Sequence, residues 1–183
     1  MKIKFLFFLF ITNTIQLSAQ KKAKTEPFGN SANFSQFEIT IPLKGNDTYG
    51  EIDDYGNRSD YMIIPDGISA KFGYGIHHEK WIGLSIHSGI DWKITPKLVS
   101  VPVYAQVTLN PIISGETRLL IQSGFGQSFA LGRGRLSGNY YKARLGITTD
   151  SDISVFLDAS FYGFQIHQQE MGSFSLGFSV MTF

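Results

Sequence analysis

The sequence predicts an all-β protein: an eight-stranded antiparallel up-and-down β-barrel built to cross a membrane. Three observations carry that expectation. From Phe34 onward, apolar and polar residues alternate with period two, the signature of strands with two unlike faces. The apolar face is dense in long aliphatic and aromatic residues, while the other face holds the charges together with Gly and Ser. Charged residues are 17% of the chain, against roughly 25% in soluble domains. Aromatics reach 14%, which suits a surface that does not face water.

The N-terminus reads as an export signal. Lys2 and Lys4 are followed by the apolar run Phe5–Ile11, and Leu17-Ser18-Ala19-Gln20 ends like a cleavage site near Ala19 or Gln20. The run is far shorter than the ~20 apolar residues a spanning helix requires. Residues 1–20 are therefore expected to be a signal peptide, 21–33 a flexible polar lead-in, and 34–183 the barrel domain. The 16 Lys+Arg and 15 Asp+Glu nearly cancel, which gives no reason to expect nucleic acid as a partner. With no cysteine, disulfides, Cys metal sites and a lipid attached to an N-terminal Cys are excluded. No cofactor is expected.

The alternation places strands near 34–43, 68–77, 81–94, 98–109, 116–128, 139–149, 152–165 and 172–183. The clearest is Ile82 to Ile94, apolar at even positions apart from Ser88. Val99, Val101, Val103, Ala105, Val107 and Leu109 form another stripe. Several strands reach about 10 residues, longer than the ~5–6 of globular sheets and long enough to span. No helix-length segment intervenes, so neighbours in sequence pair as hairpins. Connections 44–67 and 129–138 are long and both odd-numbered, so they share one rim. The turns 78–80, 110–115 and 150–152 share the other. Outer-membrane barrels put long loops outside and short turns in the periplasm.

The apolar phase includes Phe37, Ile39, Ile41, Phe72, Tyr74, Leu145, Ile147, Val155, Leu157, Phe174, Leu176 and Phe178. The opposite phase carries Glu38, Lys71, His87, Asp91, Arg118, Lys142, Arg144 and Asp158, expected as a polar network inside the barrel. A soluble barrel would reverse these faces. Bulky stripe residues fit poorly inside eight strands, and Gly and Ser suit a crowded interior. An Asp150-Ser151-Asp152 turn sets Ile147 opposite Val155, Leu145 opposite Leu157, and Arg144 opposite Asp158 as an ion pair. A His78-Glu79-Lys80 turn sets Lys71 opposite His87.

An Ala19-Gln20 signal end, the chain size, eight alternating strands and the terminal Phe183 resemble the small outer-membrane barrel proteins of Gram-negative bacteria. The nearest flavour is the outer-membrane β-barrel domain family of the Bacteroidetes, over about residues 34–183. The resemblance implies an outer-membrane location with lipid around the barrel, and a terminal aromatic shown to the insertion machinery. Two features depart from the ideal. Met181 and Phe183 fall out of phase with Phe174 to Val180, which a bulge near Val180 would reconcile. Pro102 lacks an N–H in a sheet that has no edge.

Candidate chemistry is sparse. His77-His78-Glu79 matches no zinc spacing and falls at a turn. Gly124-Phe125-Gly126 with Gly132 and Gly134 lacks the helix and the Gly-Lys-Ser/Thr ending of a phosphate loop. Asp47, Glu51, Asp53, Asp54 and Asp60 do not fit the twelve-residue calcium loop. Together with Tyr49, Tyr55 and Tyr61 they leave recognition by the first loop open. Arg133 and Arg135 are either ordinary loop charge or a contact for anionic lipopolysaccharide headgroups, and charge attraction alone does not choose between the two. His87, Ser88 and Asp91 suggest a lipid-A-modifying enzyme, but neighbouring strand residues face opposite ways, and the His-x-Ser spacing implied by a resemblance to deacylases is absent. Trp81 and Trp92 are candidates for the two membrane interfaces, although their phases differ and Trp81 is alternatively a turn residue. The expectation is a non-enzymatic outer-membrane barrel, structural, adhesive or accessory to a surface complex. Its partners would be lipopolysaccharide or a surface protein, met through loops 44–67 and 129–138. The alternatives are a soluble periplasmic lipocalin-like binding barrel and a lipid-A-modifying outer-membrane enzyme.

Overall fold

Period-two alternation resolves into eight long strands and two short ones. The computed structural model describes residues 32–52, 55–56, 58–115, 117–132, 136–166 and 169–183. The expected signal peptide, 1–20, and most of the expected lead-in, 21–33, lie outside these residues. The strands are β1 (Asn33–Gly45), β2 (Ile63–Pro65), β3 (Gly67–His78), β4 (Ile82–Lys93), β5 (Leu98–Leu109), β6 (Ile112–Ser114), β7 (Thr117–Leu131), β8 (Ser137–Thr148), β9 (Ile153–Ile166) and β10 (Gln169–Thr182). The eight long strands pair antiparallel in chain order, and β10 pairs with β1 to close the sheet. The fold is an all-β, closed eight-stranded antiparallel barrel.

The registers fix its shape. Paired residues lead from Asn33 through Ile76, Leu84, Val107, Ser123, Ala143, Ala159 and Phe174 back to β1 at Leu43. A stagger from Asn33 to Leu43 on eight strands corresponds to a tilt of about 40°. A strand like β4 is then about 40 Å long and about 30 Å high, enough for the ~25 Å apolar band of membrane barrels.

Turn geometry decides which residues meet. At the β8–β9 turn, Thr149 N–H donates to Ile153 O at 2.8 Å and Asp152 N–H to Thr149 O at 3.0 Å. The ladder beyond sets Ile147 against Val155, Leu145 against Leu157 and Arg144 against Asp158. The β3–β4 turn differs from expectation. Glu79 and Lys80 both take left-handed backbone, φ 51° and 59°, and the ladder starts at His78 opposite Ile82. His87 therefore faces Gly73, and Lys71 faces Gly89, so the anticipated Lys71–His87 pairing is replaced. Every face is kept, because the register moves by two.

Irregularities fall at particular residues. β2 and β3 form one strand broken at Asp66–Gly67, since β1 pairs with both in registers one residue apart. Gly67 sits at φ 145°, where any Cβ would run into the Trp92 carbonyl. Pro102 interrupts the β4–β5 ladder, which stops after Ser88↔Val103 and resumes at Asp91↔Ser100 in unchanged register. The bulge expected near Val180 is absent: β10 runs evenly against β1 from Phe174 to Thr182. The shift lies instead between Glu170 and Gly172, opposite Gly163 at φ 62°. Met181 is simply an apolar interior residue.

Gly73 shows why the interior face uses glycine. A Cβ there would collide with the His87 imidazole, whereas one at Gly172 would meet Ser160 O at an ordinary 3.6 Å. Gly73→Val is expected to lower stability by about 1–3 kcal/mol through overpacking. Gly172→Ala is expected to leave the urea midpoint of the refolded barrel nearly unchanged.

Candidate functional site

Alternation sends every second side chain inward, so one phase of the sequence becomes the barrel interior. That interior is polar and filled. Glu38, Lys71, His87, Asp91, Lys142, Arg144 and Asp158 are all buried. Glu38 on β1 accepts from Lys142 Nζ at 2.6 Å, and its second oxygen meets Arg144 Nη1 at 2.6 Å. Arg144 Nη2 also donates to Asp158 Oδ2 at 2.9 Å, while Lys142 Nζ lies 3.3 Å from the same oxygen. Lys71 pairs with Asp91 at 2.5 Å, and Tyr162 OH donates to the other Asp91 oxygen at 2.8 Å. Three cations thus meet three carboxylates, which is the condition for holding charge out of water. Arg118 stands apart from this cluster. It is only half-buried, at the short-turn rim, where Nη1 donates to Lys80 O at 3.3 Å.

Layers above and below seal the charged cluster. Toward the long loops, Tyr104, Tyr140 and Tyr162 pack in sequence with centroids 5.0 and 5.4 Å apart, joined by Leu98, Ala130 and Phe164. Lys93 lies over the Tyr162 ring and donates to Gly172 O at 2.6 Å. Toward the short turns, Gln122 Nε2 donates to Gln36 Oε1 at 3.1 Å and to Thr108 Oγ1 at 3.0 Å. Leu120, Phe156 and Met181 follow, with Phe183 packed against them. Phe183 stacks on Phe34 at 5.7 Å, and Lys80 sits over its ring while reaching Asp152 at 3.0 Å. His77 Nδ1 accepts from Lys80 N–H at 3.1 Å and belongs to this rim.

One pair escaped the sequence reading. Ser85 and His87 lie two apart on β4, so both point inward, and Ser85 Oγ is 2.8 Å from His87 Nε2. The signal was the Ser-x-His spacing; Ser88, the neighbour weighed instead, is exposed on the outer face. Gln106 Nε2 is 3.1 Å from the same ring nitrogen. His87 Nδ1 has no hydrogen-bond partner among the described residues, so no acid orients the ring as a nucleophile–base pair requires. Both residues are sealed inside the barrel. The pair is a packing and hydrogen-bonding unit, with His87 stacked on Tyr104 at 5.2 Å.

The outer face carries the apolar phase. Phe37, Ile41, Phe72, Tyr74, Leu145, Ile147, Val155, Leu157, Phe174, Leu176 and Phe178 are exposed. Trp81 and Trp92 are exposed at opposite ends of β4. Beyond the rim, residues 46–52 and 58–62 of the β1–β2 connection pair as a ribbon. Gly50 N–H donates to Ser59 O at 2.8 Å, and Ile52 bridges to Arg58. Asp47 meets Lys44 and Asp60 meets Arg58, each at 3.7 Å. Asp53, Asp54, Arg133 and Arg135 lie outside the described residues. Among the described residues, no three His, Asp or Glu side chains converge to hold a metal ion.

No protein-family model and no curated protein sequence matches the chain. Solved structures do. The outer membrane enzyme PagL superposes with a TM-score of 0.51 at 12% identity, covering 79% of this chain and 98% of PagL. Neisserial surface protein A (NspA) superposes with a TM-score of 0.50 at 9% identity, covering 84% of this chain and 99% of NspA. At such identities the likeness is one of fold: the chain is built as these small outer-membrane eight-stranded barrels are.

Proposed function

We propose that the protein is an outer-membrane barrel, exported through a signal peptide at residues 1–20 and anchored by residues 34–183. Its role is non-enzymatic: structural, adhesive or accessory to a surface complex. The observation that carries the membrane reading is the reversed polarity of its faces. Glu38, Lys71, Asp91, Lys142, Arg144 and Asp158 are buried, while the exterior is a wall of aliphatic and aromatic side chains. A water-soluble barrel has the opposite arrangement, and a lipid-embedded one has this arrangement. The filled interior argues against a pore. With short turns in the periplasm, the long connections 44–67 and 129–138 face outward, and Arg133 and Arg135 suit lipopolysaccharide phosphates. The signal end and strand pattern support kinship with the Bacteroidetes barrels.

PagL is an enzyme by name, yet the Ser85–His87 contact of this chain is shut inside the barrel. The proposal is tested by membrane fractionation and by gel mobility with and without heating. The expected result is an outer-membrane protein that migrates faster unheated than boiled. Recovery from the soluble periplasm with no heat shift overturns it.

A further inference from the structure

The ribbon between β1 and β2 displays an unusual surface. Gly67 pairs with Lys93, the last residue of β4, so residues 46–52 and 58–63 project past the barrel wall. Tyr49, Ile52, Tyr55, Tyr61, Met62 and Ile63 are all exposed there, with Ile52 at 70%, Tyr61 at 76% and Tyr55 at 91%. Apolar side chains on the barrel wall face lipid; these stand beyond it in water, and clustered exposure of that kind marks an interaction surface. Their backbone is already ordered. Asn46 N–H donates to Met62 O at 2.9 Å, and Asn46 Nδ2 donates to Ser59 Oγ at 2.8 Å and to Tyr61 O at 2.9 Å. Ser59 N–H donates to Glu51 O at 2.9 Å. Less ordering entropy therefore opposes binding.

Charge selects the occupant. Residues 44–63 contain Asp47, Glu51, Asp53, Asp54 and Asp60 against two cations, Lys44 and Arg58, which meet Asp47 and Asp60. Like charge disfavours lipopolysaccharide phosphates, sulfated polysaccharide and the same ribbon of a second copy. Tyrosines interleaved with carboxylates suit a cationic chain carrying apolar side chains, the tyrosines giving contact area at small entropy cost. Resting on the outer-membrane reading above, we infer that the ribbon of residues 46–52 and 58–63 binds a basic, apolar-bearing segment of an extracellular protein.

The test uses the full mature protein in nanodiscs of phosphatidylcholine, a lipid without net charge. The probe is a displayed library of random dodecapeptides, with a heparin oligosaccharide as the polyanion arm. The expected winners carry net positive charge with aliphatic or aromatic residues. They lose about tenfold or more in affinity against the Tyr49→Ser/Tyr61→Ser protein. Their affinity also falls on Glu51→Gln/Asp60→Asn substitution and as salt rises. Neutral or acidic winners, no enrichment, heparin binding in their place, or ribbon-dependent dimers by light scattering each overturn the inference. The gel heat shift is read on every sample. A variant that keeps its shift and its peptide binding defeats the ribbon site alone, whereas a wild-type protein without the shift defeats the barrel-in-membrane reading itself.

Discussion

Replacing Glu38 with alanine is expected to cost the barrel about 3–5 kcal/mol, the range for removing one partner from a buried ion cluster. Glu38 contacts Lys142 and Arg144 at 2.6 Å each and accepts from Tyr104 OH at 3.3 Å. Without it, these two buried cations share the Asp158 carboxylate, at 3.3 and 2.9 Å, and otherwise meet only neutral groups such as Tyr104 OH and Gln122 Oε1. They also repel each other across a space that water does not readily reach. The loss is read as a lower urea midpoint of the refolded protein, with the folded fraction scored by gel mobility.

A second substitution separates charge balance from lost packing. Glu38→Ala/Lys142→Met removes one charge of each sign and leaves Arg144 with Asp158. It is expected to recover most of the loss, because an ion pair replaced by apolar side chains is often close to neutral. A single variant within about 1 kcal/mol of wild type, or a double variant no better than the single, would show that the cluster does not hold the interior together.

Much of this arrangement could be read from the sequence because strand alternation is binary. Once Leu145, Ile147, Val155 and Leu157 share a phase, Lys142, Arg144 and Asp158 must share the other, and a small error in strand ends does not change which face they occupy. The Arg144–Asp158 register was also legible, since Asp150-Ser151-Asp152 is recognisable turn chemistry. The β3–β4 register was not. Its turn puts Glu79 and Lys80 in left-handed backbone, which their residue types do not announce. The partners of Lys71 and His87 moved accordingly while their faces stayed the same. Met181 was misread for a related reason: an apolar residue on the inward phase of β10 looks like a slip in phase, when it belongs to the plug with Leu120 and Phe156. Contacts across the lumen, such as Glu38 with Lys142 or Lys80 with Asp152, are set by barrel closure and shear, and no local pattern encodes them.

The energetic cost of an outward charge, and its dependence on depth, distinguishes a lipid-facing wall from a wet one. Ile86 is exposed on the outer face near the middle of β4, and Ile94 is exposed just past that strand's end. In a bilayer, Ile86→Arg is expected to cost about 2–4 kcal/mol, while a charge near the interface costs about 0–1 kcal/mol. Ile94→Arg, whose long side chain can reach the headgroups, should therefore fold almost as well as wild type. In water both changes would be harmless or would improve solubility, because each replaces an exposed aliphatic group with a solvated one. Urea titration of both variants refolded into bilayers measures the difference directly. A penalty that is large at residue 86 and small at residue 94 follows only if the wall lies in lipid with Ile86 near its centre. Equal and negligible effects would mean that the apolar wall faces water and not lipid.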